Sequence, residues 1–266
     1  MAKGNRYAQI IEDIFFRYYC NGDTVVNFTR DDIVKSAERL EISLPKNPGD
    51  TLYSFRFRVL LPEPIRATAP DDKSWVIVLR GRAKYAFVVK NFAFVDPDTT
   101  LPIVKIPDAT PGIVSRYALT DEQALLAKLR YNRLLDVFAG VACYSIQNHL
   151  RTTVQGFGQI ETDEIYVGVD RRGAHYVFPV QAKGRGDRIG IVQIEQDFGL
   201  CGEKFADLVA RPIAAQFMDD ETIALFEFDA DPDGGVVKLA ECHYRLVPEH
   251  ELSSEELRKY RNRRAD

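Results

Sequence analysis

The chain is poor in the residues that announce common metal and redox chemistry. Four of its 266 residues are cysteines (Cys20, Cys143, Cys201 and Cys242), and no two form a CxxC pair. That spacing excludes a zinc ribbon or dithiol centre and predicts four buried free thiols. The four histidines are equally scattered, with no HExxH or similar ligand spacing. No run approaches the roughly 18 consecutive apolar residues of a membrane helix. The opening MAKGNRYAQIIEDIFF lacks the basic-then-apolar order of a signal peptide, so a soluble, cytoplasmic protein without membrane contact is expected. There is no internal repeat or low-complexity tract. Excess positive charge is also lacking: the formal net charge is −4. A nucleic-acid partner must therefore be argued from local clusters of Lys and Arg.

Three such clusters exist: Arg56/Arg58, Arg80/Arg82/Lys84, and a C-terminal run from Arg258-Lys259 through Arg261 to Arg263-Arg264. Hydrophobic residues make up 45% of the chain, enough for one large core or two modest ones. Tyr7, Ile10, Ile11, Ile14, Phe15 and Tyr18 recur at helical spacing, and Asn21-Gly22-Asp23 ends that helix. Thr29 or Arg30 opens a second helix with Ile33, Val34, Ala37 and Leu40 on one face. A third is expected over Thr51–Val59, with Asn47 as N-cap and Pro48 as first helical residue. Two β-rich runs follow, Ser74–Leu79 and Ala83–Val89, separated by Arg80-Gly81-Arg82.

Three short helices followed by a β-hairpin is the order of a winged helix, whose third helix enters the DNA major groove while the wing lies along the backbone. Arg56 and Arg58 fall on that third helix, Lys46 just before it, and Arg80, Arg82 and Lys84 on the wing. A winged-helix-like DNA-binding domain is expected over residues 1–94. Residues 95–117 hold four prolines and read as a linker or extended wrap. Thr120-Asp121-Glu122-Gln123 has the spacing of a capping box and opens a long helix predicted to run to about Leu150.

Residues 159–183 (QIETDEIYVGVDRRGAHYVFPVQAK) read as a hairpin around Asp170-Arg171-Arg172-Gly173. A type I turn completed by a left-handed Gly173 pairs Asp170 with Ala174. Asp163 then falls opposite Gln181, and Glu161 opposite Lys183, on one face. A plain two-residue turn would instead bring Glu164 to that face, so Glu164 is the reserve ligand. These residue types suit phosphodiester cleavage. A divalent cation needs hard oxygens, and Asp163, the Gln181 amide and the Ala182 carbonyl supply them. The cation activates water, while Lys183 orients it and stabilises the charge growing on the phosphate. Arg185 and Arg188 follow immediately as candidate DNA contacts. A helix is expected over IGIVQIEQDFGLCGEKFADLV, bearing Gln193 and Gln196. Strands are expected at Pro212–Gln216 and Ile223–Phe228, the second an exposed edge carrying Leu225, Glu227 and Asp229.

Long helix, acid-bearing strand, turn, and a strand ending in Gln181-Ala182-Lys183 together resemble the core of the PD-(D/E)XK nucleases. The resemblance covers roughly residues 120–200. Two positions depart from the family pattern: Thr162 stands in place of its proline, and Gln181 in place of its second acid. The resemblance implies an α/β fold, with a mixed sheet flanked by helices over residues 118–266. It also implies Mg2+ (with Mn2+ able to substitute), and a carboxylate from the preceding helix, for which Glu122 and Asp136 are the candidates. With the N-terminal domain the whole resembles a type II restriction endonuclease, which implies sequence-specific cleavage of double-stranded DNA by a homodimer. A repair or recombination nuclease acting on structured DNA, and a DNA-binding protein that has lost cleavage, are the alternatives.

Overall fold

The helical spacing at the start of the chain becomes α1 (Arg6–Tyr18), which buries Ile10, Ile11, Ile14 and Phe15. In this computed structural model residues 6–117, 121–218, 221–231 and 235–262 are described. A short strand, β1 (Val25–Thr29), intervenes before α2 (Arg30–Arg39) and turns Val26 and Phe28 inward. Thr29 ends the strand and caps the helix, its backbone N–H donating to the Asp32 carboxylate at 2.8 Å. In α3 (Asp50–Phe57) the N-cap is Gly49, not Asn47. Asn47 makes a side-chain turn one step earlier, its Oδ1 accepting from Gly49 N–H at 3.3 Å. An Asn side chain that satisfies a nearby backbone donor competes with the capping position, and Pro48 lies in that turn.

After α4 (Glu63–Arg66), β2 (Ser74–Gly81) and β3 (Lys84–Lys90) form the expected hairpin, and β1 pairs with β3 to give an antiparallel sheet of order β1-β3-β2. Phe15, Phe28, Trp75 and Phe87 pack with the helices as one core.

The proline-rich segment does more than connect. It contains β4 (Phe94–Val95), β5 (Ile103–Pro107) and α5 (Gly112–Tyr117). The long helix expected to reach Leu150 is three elements: α6 (Asp121–Tyr131), α7 (Leu134–Ala139) and β6 (Ala142–Val154). Arg133, with φ of 49°, breaks the first junction, and Gly140, with φ of 65°, caps the second. Beyond Gly140 the segment pairs along its length with β7 (Gly158–Val169), and strand pairing overrides helical periodicity. Thr120 of the expected capping box lies outside the described residues.

β7 leads into β8 (His175–Lys183), then β9 (Ile189–Gly190), α8 (Ile191–Lys204), β10 (Val209–Ala210), β11 (Ile213–Phe217), β12 (Ile223–Ala230), β13 (Val236–Val247), a 3-10 turn and α9 (Ser254–Arg261). The result is a large mixed sheet of order β5-β13-β12-β11-β8-β7-β6. β11 runs parallel to β8 with α8 as the crossover. β12 is interior, not the exposed edge expected from its alternation. Glu227 is 5% exposed and is held by Arg211, with Nε–Oε1 and Nη2–Oε2 contacts of 2.5 and 2.6 Å. Of the four thiols Cys143 and Cys201 are buried, but Cys20 is exposed.

Helices α6 and α7 pack Leu125, Leu129 and Leu135 on one face of the sheet. Helix α8 covers the other, and Val76 of β2 joins the core between α8 and β12. The helix-hairpin unit is thereby docked on α8, which brings α3 over the end of β8. Gly199, inside α8, permits one close approach: a Cβ there would lie 2.4 Å from the Phe157 ring at the β6–β7 turn. Gly199→Ala should destabilise the protein by about 1–3 kcal/mol, despite alanine's better helix propensity, because the overpacking outweighs it. A rise in thermal midpoint would show that the Phe157 ring moves aside freely.

Candidate functional site

The hairpin turn forms as its residue types require. Gly173 N–H donates to Asp170 O at 3.0 Å, Asp170 N–H donates to Ala174 O at 3.1 Å, and Gly173 has φ of +84°. The Asp170 carboxylate accepts from the Arg172 and Ala174 amides, and the Ala174 bond leads in holding its pKa down at about 2. Pairing then runs from Val169↔His175 to Glu164↔Val180, the expected register, and there it stops.

Beyond that point β7 stays with β6 and leaves β8. The alternation of faces shifts at the parting: Thr162 bonds to Asp197 of α8, and Ile165 packs on the same helix, although the two are three residues apart. Asp163 sits at the shift. Its Oδ2 accepts from Ala182 N–H at 2.8 Å, so a side chain takes the place of the missing ladder partner. A strand residue's N–H and C=O point to the same edge, so the Ala182 carbonyl also faces this gap.

The gap opens into a cleft of about 590 Å³ between β8, α8 and α3. Asp163, Gln181, Lys183 and Glu161 all border it, together with Glu122 at the start of α6. Burial raises the Asp163 pKa, opposed by the Ala182 amide and by Lys183. The Glu122 carboxyl is raised too, first by burial, with Lys183 favouring its ionised form and Asp163 opposing it. Two carboxyls and one ammonium thus share a partly dehydrated space.

Gln181 is 1% exposed, and every polar atom of its amide is engaged. Its Nε2 donates to Asp197 Oδ2 at 3.0 Å and to the Glu161 carbonyl at 3.2 Å. This fixes the amide so that Oε1 faces Gln193, whose Nε2 lies 3.4 Å away. The Gln193 Oε1 is itself buried, with no hydrogen-bond partner among the described residues.

Asp197 is the residue that sequence reasoning missed. It is fully buried, and burial pushes its pKa up to about 7, against the Thr162 and Gln181 hydrogen bonds that lower it. An acid one position beyond Gln196 on an amphipathic helix carried no local signal, because its role is contact with another strand. Since the folded pKa lies above the ordinary 3.8, the fold favours the protonated form. The stability this contributes is complete below 3.8 and is lost as pH rises to about 7. Asp197→Asn removes the ionisation, so above pH 7 the variant should exceed the parent by up to about 4 kcal/mol, with the difference vanishing in acid. Thermal unfolding across that range measures it, and a gap that does not change with pH would contradict the assignment.

Other expected residues fall elsewhere. Glu164 lies on the α6 side of the sheet, 0% exposed, where Arg130 donates to its Oε1 at 2.8 and 3.1 Å. It is not a ligand in reserve. The Glu161 side chain does not meet Lys183 across the strands; it pairs with Arg151 of β6 at 3.0 Å. Asp136 is tied to Arg133 and to the Cys143 amide. Arg188 is engaged by Asp96, and Arg185 is 3.4 Å from Glu221, both at the outer end of the cleft. Arg58 borders the cleft and Arg56 extends beneath it, so the expected groove-reading helix points its arginines at the site. Arg80 borders a neighbouring cavity, while Lys46, Arg82 and Lys84 are exposed away from it.

Among the described residues no three His, Cys, Asp or Glu side chains form a metal-binding group. The oxygens that meet here are of mixed type: carboxylates of Asp163 and Glu122, amides of Gln181 and Gln193, and the Ala182 carbonyl. Hard, partly neutral oxygens with one orphaned buried acceptor suit a divalent cation that keeps several waters. Among the described residues no helix is long and apolar enough to cross a membrane. No protein-family model, curated protein or solved structure matches the chain.

Proposed function

We propose that the protein is a metal-dependent deoxyribonuclease of the PD-(D/E)XK type. The observation that carries this reading is the meeting of Asp163, Gln181 and Lys183 where β7 and β8 part, with Glu122 reaching in from the helix before them. Mg2+ bound by Asp163, Gln181 Oε1 and the Ala182 carbonyl would lower the pKa of a bound water and offset charge on the phosphate.

The protein's own residues do the rest. Asp197 holds the Gln181 nitrogen and so presents its oxygen to the cleft. The Ala182 amide fixes one oxygen of Asp163. Lys183 faces the phosphate, orients the attacking water by hydrogen bonding and stabilises the pentavalent transition state. Glu122, with its raised pKa, is placed to accept a proton from that water.

The N-terminal unit supports a DNA substrate. Its order α1-β1-α2-α3-α4-β2-β3, with sheet order β1-β3-β2, supports the winged-helix reading, in which α4 would be one extra helical turn. Specific cleavage of duplex DNA by a dimer, as in type II restriction, is one form of this reading. A nuclease acting on structured DNA is the other, favoured by the position of α3 over the cleft, where its Tyr53, Arg56, Phe57 and Arg58 leave little of the helix for a major groove.

Digestion of DNA of known sequence, with Mg2+ and with EDTA, is the test. Discrete Mg2+-dependent bands would establish sequence-specific cutting, and a Mg2+-dependent smear a structure-directed or nonspecific nuclease. DNA retarded on a gel but never nicked, with Mg2+ or with Mn2+, would leave a DNA-binding protein and end the nuclease reading.

A further inference from the structure

The cleft does not end at the catalytic residues. Arg56 and Gln196 border both it and a second cavity of about 550 Å³, which lies between β2, α8 and the β6–β7 turn. At the other side Tyr53, Phe57, Arg58 and Lys183 border both the cleft and an outer pocket of about 370 Å³. The three are compartments of one trough beneath α3. Spaces of ~300–1,000 Å³ enclose a small-molecule-sized unit, so each compartment has room for a nucleotide or two and none for a double helix.

The lining is that of a strand path. Arg80 and Lys90 stand at one end, beside Glu195, and Arg185 and Arg188 at the other, beside Asp187, while Asp163, Glu161 and Glu122 border the middle. Lys90, Arg185 and Arg188 have carboxylate partners: Lys90 meets Glu195 at 2.5 Å. Arg56 does not. Its guanidinium is largely buried at the junction of two compartments, its Nε has no hydrogen-bond partner among the described residues, and burial lowers its pKa. A buried cation without a counter-ion is costly unless an anion joins it. Beside it Tyr53 keeps 50% of its surface exposed, and its ring meets Phe57 edge-on at 5.2 Å. In the far compartment Phe157 presents another ring. Cations that track a backbone, with aromatic faces between them, are how proteins hold single strands of any sequence.

We infer that the trough is a track for one unpaired strand of DNA, with Arg56 on a phosphate next to the scissile one and Tyr53 stacked on a base. This rests on the cleft being a nuclease site, and it specifies the substrate: DNA that is single-stranded across the cut, as at a flap, a branch or a frayed end.

Binding of the full-length protein to a fluorescent single-stranded oligonucleotide and to its blunt duplex is measured in EDTA, where cutting is suppressed. The single strand should bind at least tenfold more tightly. Tyr53→Ala should weaken single-strand binding about tenfold, as expected for loss of one stacked base, and Tyr53→Phe should restore it. Arg56→Gln should reduce the salt dependence by about 0.7, one phosphate contact. A 2-aminopurine base opposite Tyr53 should be quenched in the parent protein, a readout that needs no variant. Equal or tighter binding of the duplex, or an unquenched probe with unchanged Tyr53→Ala binding, would overturn the track. The two ideas fail separately. Mg2+-dependent cutting within a fully paired duplex as fast as in a flap would refute the track and keep the nuclease. Single-strand binding with quenching, but no cleavage with either metal, would refute the nuclease and keep the track.

Discussion

Asp163→Asn and Lys183→Ala should each lower Mg2+-dependent DNA cleavage by on the order of 10³-fold or more, with DNA binding in EDTA nearly unchanged. The asparagine variant is the more informative, because Asp163 has two tasks. Its Oδ2 satisfies the Ala182 amide, so Asp163→Ala would also orphan a buried donor at a cost of ~1–3 kcal/mol. Asparagine keeps an acceptor there and removes only the charge. Burial already disfavours that charge, so the variant should melt no lower than the parent. Loss of cleavage with an unaltered melting curve would assign Asp163 to the chemistry. Cleavage within tenfold of the parent in either variant would mean that the reacting phosphate lies elsewhere.

Arg130→Ala should produce the opposite pattern, a large loss of stability with cleavage retained. Glu164 is 0% exposed, and among the described residues Arg130 is its only cationic partner, through two hydrogen bonds. Removing the arginine leaves a carboxylate in the core of the sheet, which costs ~3–5 kcal/mol when a buried pair is broken. The lower figure applies, because the Arg130 side chain keeps 41% exposure and water can enter. Urea unfolding should give a lower midpoint with an unchanged slope, the product of shift and slope matching that loss. Protein that remains folded should cut at the parental rate, since the pair lies across the sheet from the cleft. Loss of cleavage in proportion greater than loss of folded protein would restore Glu164 to the site.

How far the sequence carried can be judged at the hairpin. Asp170 and Gly173 specify a type I turn with a left-handed closing residue, a local requirement of backbone geometry. The register followed from them as far as Glu164↔Val180. What period-two reasoning could not reveal is that β7 leaves β8 one residue later. That parting turns Asp163 from a cross-strand neighbour into a bracket on the Ala182 amide, and it depends on Thr162 being drawn to Asp197 of α8. The error at residues 142–150, expected as helix and found as strand, has the same source. Val141 and Ile146 continue a helical spacing, yet the segment is a strand because β7 is there to pair with it.

By itself the sequence determined the elements whose instructions are local. These are the amphipathic α1 and α8, the capped α2, the β2–β3 hairpin, the Asp170–Gly173 turn, and the presence of acid, amide and lysine on neighbouring strands. Only the tertiary structure decided which of those polar groups share a space. It sent Glu164 to Arg130 and Glu227 to Arg211, placed Asp197 behind Gln181, and brought α3 over the end of β8. The reason is physical: turns and caps are set by dihedral preferences within a few residues, whereas a buried charge is settled by whichever distant group can pair with it once water is gone.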